Sequence, residues 1–525
     1  MGQVTALDWP QFCGPSYNYK DWPLDCQECI NFECIKVDSP SASSKFALVG
    51  TPGCKHIRFR INGSVVESLP TDFPGHIRGV HRCAVGFGGS MNAAIVVVAS
   101  ESVYEIAPPD EEGVCEATLL GKLSWLNGDV TMADGGGEFG SAYPPKLLIS
   151  DGASTYCVNM ENKDFYSLGG MPVQASCLDF MDGRIFACGL DKDTGVPNGH
   201  VYWSDINDPE TWDPTNFVSA ATTLDPTTSL KVVGNSLWVF GPSTYEIWQT
   251  TTSTSTLYSP IKKVSGGAFG VGTPTRDSVA AIADKIFFVG SGDVGNSRIY
   301  MGSGTTIKPI STDALEMELA SYSLRSDVKT FCYSEEGLTY FVCTFLDANI
   351  TWVYNVESES WHRRATRTDM AKYNHWVIHH GTFAWDRILC GGMDDTKLYW
   401  LSRDFYDDDG NRIVRKRVTP HIMKTTNKLM RHMSLQLKVE CGNAPVTGQG
   451  SEGPQVMLRA LDDYGRKPRE PRWKSTGVAG EYGRRVKWYR LGTARDRAYQ
   501  IEVSDPVRWM ISGAVIEVDE STGGV

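Results

Sequence analysis

An all-β chain is what this sequence predicts: a β-propeller of six to eight blades, an appended small β-sandwich and an irregular N-terminal arm. Three observations carry the prediction. Strand-like runs that enter a turn begin at Ile95, Leu147, Arg184, Ser236, Lys285, Thr339 and Arg387, at spacings of 52, 37, 52, 49, 54 and 48 residues. Most are answered by a return run with an aromatic, such as Val103-Tyr104-Glu-Ile106, Val201-Tyr-Trp203 and Leu398-Tyr-Trp400. The 52 glycines supply tight turns, and 15 Trp with 21 Tyr supply aromatic strand pairing. A repeat near 50 residues with about four strands per unit is the mark of propeller blades. The physical reason is closure, because a lone four-stranded sheet cannot bury both faces whereas a ring of them can, with few exposed edges.

A length of 525 residues allows two to four domains. With 41% hydrophobic and 21% charged residues, the composition is that of an ordinary globular protein. The net charge of −12 argues against a protein that coats nucleic acid, since phosphate binding needs surplus Lys and Arg. It suits a surface past which a polyanion slides. The first residues lack the basic and apolar regions of a secretion signal, and Ala6 stands where myristoylation needs Ser or Thr. Ala93 to Ala99, the longest apolar run, is too short to span a bilayer. Without an export signal, the 14 cysteines are expected to be reduced thiols.

Residues 1–45 read as an extended arm, with Pro10, Pro15, Pro23 and Pro40 set among aromatics. Cys26-x-x-Cys29 with Cys34 has part of a zinc-ligand spacing but no second close pair, so these are expected to be buried thiols. Such an arm suits a path along a neighbouring subunit. The propeller is assigned to 46–405, where only Thr312 to Leu319 suggests a turn or two of helix. At Asp404 the rhythm breaks into an acidic turn and then the basic strand Arg412-Ile-Val-Arg-Lys-Arg-Val418. The sandwich is assigned to 406–525, where residues 421–525 alternate with period two in runs such as Leu435–Glu440, Val486–Leu491 and Ala514–Val518, as strands with one wet face do.

One charge run stands out. Arg412, Arg415, Lys416, Arg417, Lys424, Lys428, Arg431 and Lys438 face a single acid, Glu440, between positions 411 and 440. On a strand Arg415 and Arg417 share one face and Lys416 takes the other. Arg412, Arg415, Lys416, Arg417, Lys424 and Lys428 are therefore the candidate residues for meeting DNA phosphates or an acidic partner ring; the competing expectation is a solvated strand paired with Asp404 and Asp407 to Asp409. Aromatics do not interleave the run, which argues against single-strand stacking.

Motifs for metal and catalysis fail on spacing. From Asp407, an EF-hand would need Gly and Glu where Arg412 and Thr419 stand, so Asp407-Asp-Asp-Gly-Asn411 is expected to be a hairpin turn. His375-x-x-x-His379-His380 lacks the accompanying Glu and the helix of a zinc protease. The Gly-rich stretches at 135–140 and 266–272 lack the Gly-Lys-Ser/Thr that cradles phosphate. Asp463-x-Gly465 with Trp473 is a poor Asp-box, and there is no Gly-x-Ser-x-Gly elbow. Neither an enzyme, a cofactor nor a metal is expected.

Several linked motifs carry a family resemblance: Val239-Phe-Gly-x-x-x-x-Glu-x-Trp248, Ile310-Ser-Thr312 and Thr351-Trp-Val-Tyr-Asn-x-x-x-x-x-Trp-His-x-Arg364. Asp463-Tyr-Gly-Arg466, Trp473 and Gly480-Glu-Tyr-Gly-Arg-Arg-Val-Lys-Trp488 continue it. Over about 40–520 the chain resembles the tail-hub, or nozzle, proteins of short-tailed phages (podoviruses), also called packaged-DNA stabilisation proteins. The resemblance implies a virion structural protein of the tail, assembled in the host cytoplasm as a sixfold ring (a hexamer). Its implied partners are the adaptor or head-to-tail connector above, tailspikes or tail fibres on the flank, and a needle or plug at the tip. Genomic DNA would pass the channel at ejection without sequence-specific binding, and an acidic lumen would keep it from adhering. The alternative from another class is a monomeric receptor- or glycan-binding propeller.

Overall fold

The computed structural model describes residues 4–16, 28–38, 44–61, 72–89, 93–220, 225–251, 259–291, 298–322, 328–369, 372–393, 395–423, 428–443 and 453–519. Seven blades follow one another along the chain, which places the propeller in the middle of the expected range. Their innermost strands are Ile77–Arg82, Thr131–Gly135, Val173–Met181, Ser229–Val233, Val279–Ile282, Val328–Glu335 and Ile378–Ala384. Each touches the next, and the last touches the first, so the ring is closed. The seven runs picked out in the sequence are the second strands of the seven blades, each within one residue of its start.

Burial explains why those runs are so apolar. Ile95, Val97 and Ala99 pack toward the seventh blade with Leu389, Leu398 and Trp400. Val96 and Val98 pack toward the second blade with Leu147, Ile149 and Val158. A strand buried on both faces reads as a continuous apolar run. The same sandwiching repeats round the ring, giving one apolar cluster between each adjacent pair of blades and an eighth inside the sandwich.

The ring closes on a strand from far upstream. The seventh blade takes only three strands from its own region, and Gly53–His56 adds the fourth, antiparallel to Leu398–Ser402. Two residues on, Arg58–Ile61 pairs parallel with Val114–Ala117 at the outer edge of the first blade. One short stretch therefore clasps both blades that flank the seam. Gly53 is required there, because any side chain would collide with the carbonyl oxygens of Asp407 and Phe405.

Blade six does not end at its fourth strand, Ser360–Arg364. Glu28–Ile30 of the arm pairs parallel with it and antiparallel with Arg415–Val418, which pairs in turn with Asp496–Val503. The blade and one sandwich sheet thus form a continuous eleven-stranded sheet. Val4–Asp8 and Phe46–Gly50 join the other sandwich sheet through Met510–Asp519, so residues 46–50, assigned to the propeller from sequence, pair with the sandwich. The arm was expected along a neighbouring subunit; its described residues thread their own chain, because their backbone groups pair in these sheets.

Short-range readings are met locally. Thr312 caps the helix Asp313–Leu319, its hydroxyl accepting from the Leu315 amide at 3.3 Å. Asp407–Asp408 pairs with Asn411–Arg412 across Asp409 and Gly410, both at positive φ, as a two-residue hairpin requires. All cysteines among the described residues are free thiols. No helix among the described residues is long and apolar enough to cross a membrane.

Candidate functional site

The basic strand sits at the joint between propeller and sandwich. Its alternation is as expected, but the direction corrects two site residues. Arg415 and Arg417 point inward and are about 1% and 0% exposed. Arg417 Nε donates to the Phe12 carbonyl at 3.2 Å, and Nη2 donates to the Gly14 carbonyl. Arg415 Nη2 donates to the Thr51 carbonyl at 3.3 Å, over Gly50, where a side chain would displace it. Burial, the neighbouring Arg364 and the opposing pull of Asp408 leave the Arg415 guanidinium lowered to about 10. Arg417 holds the arm to the joint and Arg415 holds Thr51 against it; both are buried, and neither is available to a phosphate. Lys416, on the other face, pairs with Glu28 of the arm. Arg412 is exposed and 3.7 Å from Asp505, Lys428 is exposed, and Lys424 lies outside the described residues.

Further side chains complete the joint. Glu33 of the arm, almost fully buried, meets Arg403 Nη2 at 2.6 Å and accepts from the Tyr340 hydroxyl at 2.7 Å. Asn31, at φ 55°, donates to the carbonyls of Ala365 and Val414 at 2.8 and 2.9 Å and accepts from the Ala365 amide. Arg364 lies 3.9 Å from Asp408 and over the Trp376 ring. Arm, blades six and seven and sandwich are locked by the same few groups.

The propeller axis carries a second network. Lys329 Nζ lies 2.8 Å from Asp129 and 2.6 Å from Asp277, and Arg276 Nε lies 2.8 Å from Asp277. Arg276 also donates to the Asp129 and Ser176 carbonyls. His379 and His380 approach Asp129 at 3.4 and 3.7 Å, whereas His375 bonds Asn349 instead. Burial and the neighbouring His380 hold His379 down at about 4, so it is neutral near pH 7 and Lys329 balances Asp129. The lining encloses a cavity of about 160 Å³. That is a cross-braced hub with no width for a duplex.

Sequence reasoning missed the most exposed basic feature. From Asp463 to Arg490 there are nine Lys or Arg against three acids, a net +6 in a chain of −12, so the remainder sums to −18. Arg466, Lys467, Arg469, Arg472, Lys474, Arg484, Arg485 and Arg490 are all exposed. Trp473 at 58%, Tyr482 at 76% and Tyr489 at 61% stand among them. Two elements hold this edge together, Arg472–Ser475 and Val486–Ala494. Arg472 donates to the Tyr489 carbonyl at 2.8 Å, and buried Trp488 donates to the Arg472 carbonyl at 3.2 Å. The aromatic and basic spacing was legible as a motif; its exposure was not. Exposed aromatics beside arginines are the composition of protein-binding hot spots. For Cys26, Cys29 and Cys34, the first lies outside the described residues; Cys29 and Cys34 are buried and donate to the carbonyls of Phe32 and Gly14 at 3.1 Å.

Comparison with known proteins gives two family matches in chain order. Residues 118–406 match the family described as bacteriophage P22 Gp10, beta-propeller, and 415–519 match bacteriophage P22 Gp10, beta-sandwich. No curated protein matches the chain. Among solved structures, a fungal alcohol oxidase in complex with copper overlaps at 11% identity and TM-score 0.38, over 85% of this chain and 98% of its own. A chain of Chaetomium thermophilum Polycomb Repressive Complex 2 bound to GSK126 overlaps at 8% identity and TM-score 0.39, over 67% and 98%. Overlaps this loose carry no argument about function.

Proposed function

The chain belongs to the phage packaged-DNA stabilisation family represented by bacteriophage P22 Gp10, and from that premise we propose that it is the tail hub, or nozzle, of a short-tailed phage. In this reading six copies form a ring below the adaptor, retain the packaged genome, conduct it at ejection and anchor tailspikes or fibres, with a needle or plug at the tip. The chain acts as a passive wall and catalyses nothing; assembly takes place in the host cytoplasm. The observation that carries the proposal is the ordered pair of matches, propeller then sandwich, on a chain whose two units share one sheet.

The physics fits that role. A wall that holds a pressurised polyanion needs stiffness, and seven inter-blade cores with a buried joint supply it. Because the propeller hub is cross-braced, the conduit lies between copies, outside any single propeller. Ring closure needs heterologous contacts between identical subunits. The basic, aromatic edge at 466–490 is the face offered to an acidic neighbour, with Arg412 and Lys428 as further partner- or DNA-facing cations. The acidic remainder lines the passage, where like charge keeps DNA from adhering.

The test is genome retention. Phage heads assembled without this chain should lose packaged DNA, and adding the purified chain should restore retention. Heads that hold their genome equally well without it would contradict the proposal. Glycan binding by an isolated monomer would favour a receptor-binding propeller instead.

A further inference from the structure

Where the first and second blades meet, three side chains of different chemistry converge. His81 is the penultimate residue of the innermost strand of the first blade, Ile77–Arg82, and Cys83 follows two residues on, on the same side of the extended backbone. Asp134 comes from the innermost strand of the second blade. Their ligand atoms lie within 4.8 Å of one another. His81 Nε2 is 2.6 Å from Asp134 Oδ1, and the Ala84 amide donates to Oδ2 at 2.6 Å. Cys83 is fully buried, and the Asp134 side chain is only 9% exposed.

Charge balance gives this cluster its meaning. Among the described residues no lysine or arginine forms an ion pair with Asp134. The carboxylate is thus buried against a histidine and one amide, without a fixed cation. The comparable cluster on the axis, Asp129 with His379 and His380, differs on this point. There the Lys329 ammonium sits 2.8 Å from the carboxylate and already supplies the positive charge.

We propose that His81, Cys83 and Asp134 bind a divalent transition-metal ion of the zinc class, which pins the first blade to the second. Imidazole, thiolate and carboxylate together suit Zn²⁺, and three protein ligands leave its fourth tetrahedral position to water. The binding step balances. The Cys83 thiol releases its proton to solvent as the metal–sulfur bond forms, His81 donates the lone pair of one ring nitrogen, and Asp134 is already ionised. One thiolate and one carboxylate neutralise the 2+ charge, so the buried site carries no net charge. Binding replaces the His81–Asp134 hydrogen bond with one metal bond to each partner.

The probe is Co²⁺, then Zn²⁺ in competition, titrated into the reduced full-length chain. Expected are one equivalent per chain, a cobalt–thiolate absorption band that Zn²⁺ abolishes, and affinity at least tenfold weaker in Cys83→Ser and in Asp134→Asn. His81→Asn serves as a further variant should either of these fold poorly by circular dichroism. Cys29→Ser should bind as the parent does. The proposal is overturned if no metal binds, if folded Cys83→Ser keeps the band and the stoichiometry, or if only Cys29→Ser loses them, which would place the metal in the arm.

Discussion

Glu33 and Arg403 form an ion pair at 2.6 Å across 370 positions of sequence, almost out of reach of water. The arm supplies the acid, and the loop after the seventh blade supplies the base. Tyr340 of the sixth blade donates to Glu33 at 2.7 Å and meets Arg403 at 2.5 Å, so one contact ties three parts of the chain. Glu33→Gln should therefore cost about 2–3 kcal/mol of unfolding free energy. That is below the ~3–5 kcal/mol of a fully broken buried pair, because Glu335 and Glu336 still face Arg403 at 3.7 and 3.5 Å. Urea unfolding checks it, and an unchanged midpoint would remove the pair from the joint.

Arg417→Met should destabilise by about 2–4 kcal/mol, since it strands the Phe12 and Gly14 carbonyls inside the joint. Arg412→Glu, at an exposed position, should leave the melting temperature where it was. Differential scanning calorimetry of both variants separates a structural arginine from a surface one. Equal effects would mean that the strand faces the other way.

Acid should loosen the fold through buried histidines. Burial, with Arg364 near His362, His380 near His379 and Arg497 near His432, lowers these three to about 3, 4 and 3 from the ordinary 6.5. A histidine lowered on folding is more easily protonated in the unfolded chain. Its contribution is present above pH 6.5 and is lost as pH falls toward 3–4, with about 2 kcal/mol gone per histidine by pH 5. Stability measured from pH 7 to 4 should fall steadily, and His432→Gln should flatten the slope. A slope that is the same in that variant would rule His432 out as a source.

At the exposed edge, Trp473→Ala and Lys474→Glu should leave the isolated chain as stable as before, since both side chains are exposed, while reducing incorporation into tails at least tenfold. Counting copies per particle by quantitative gel or mass spectrometry reads this directly. Normal incorporation would move the partner face elsewhere.

How far the sequence could be read follows from what each residue touches. The second strand of every blade was legible because both its faces are buried, so Ile95–Ala99 or residues 237–240 show as an unbroken apolar run. Gly53–His56 was not legible. Gly-Cys-Lys-His has no strand signal, and only the vacant edge of Leu398–Ser402, some 340 residues away, makes it one. The alternation of Arg415, Lys416 and Arg417 was visible, but not which face turns inward. That is decided by the Phe12, Gly14 and Thr51 carbonyls, which come from the far end of the chain. The exposed edge near Trp473 had a motif but no sign of exposure, because an aromatic in a strand is more often core.

Whether this chain walls the tail passage is decided by a cryo-electron microscopy map of the assembled tail. The map should show a closed ring of six copies below the adaptor, with the DNA passage running between subunits and past seven-bladed propellers whose own axes hold no DNA. A single copy set on the flank of the tail, or DNA threaded through one propeller past Asp129 and Lys329, would contradict it.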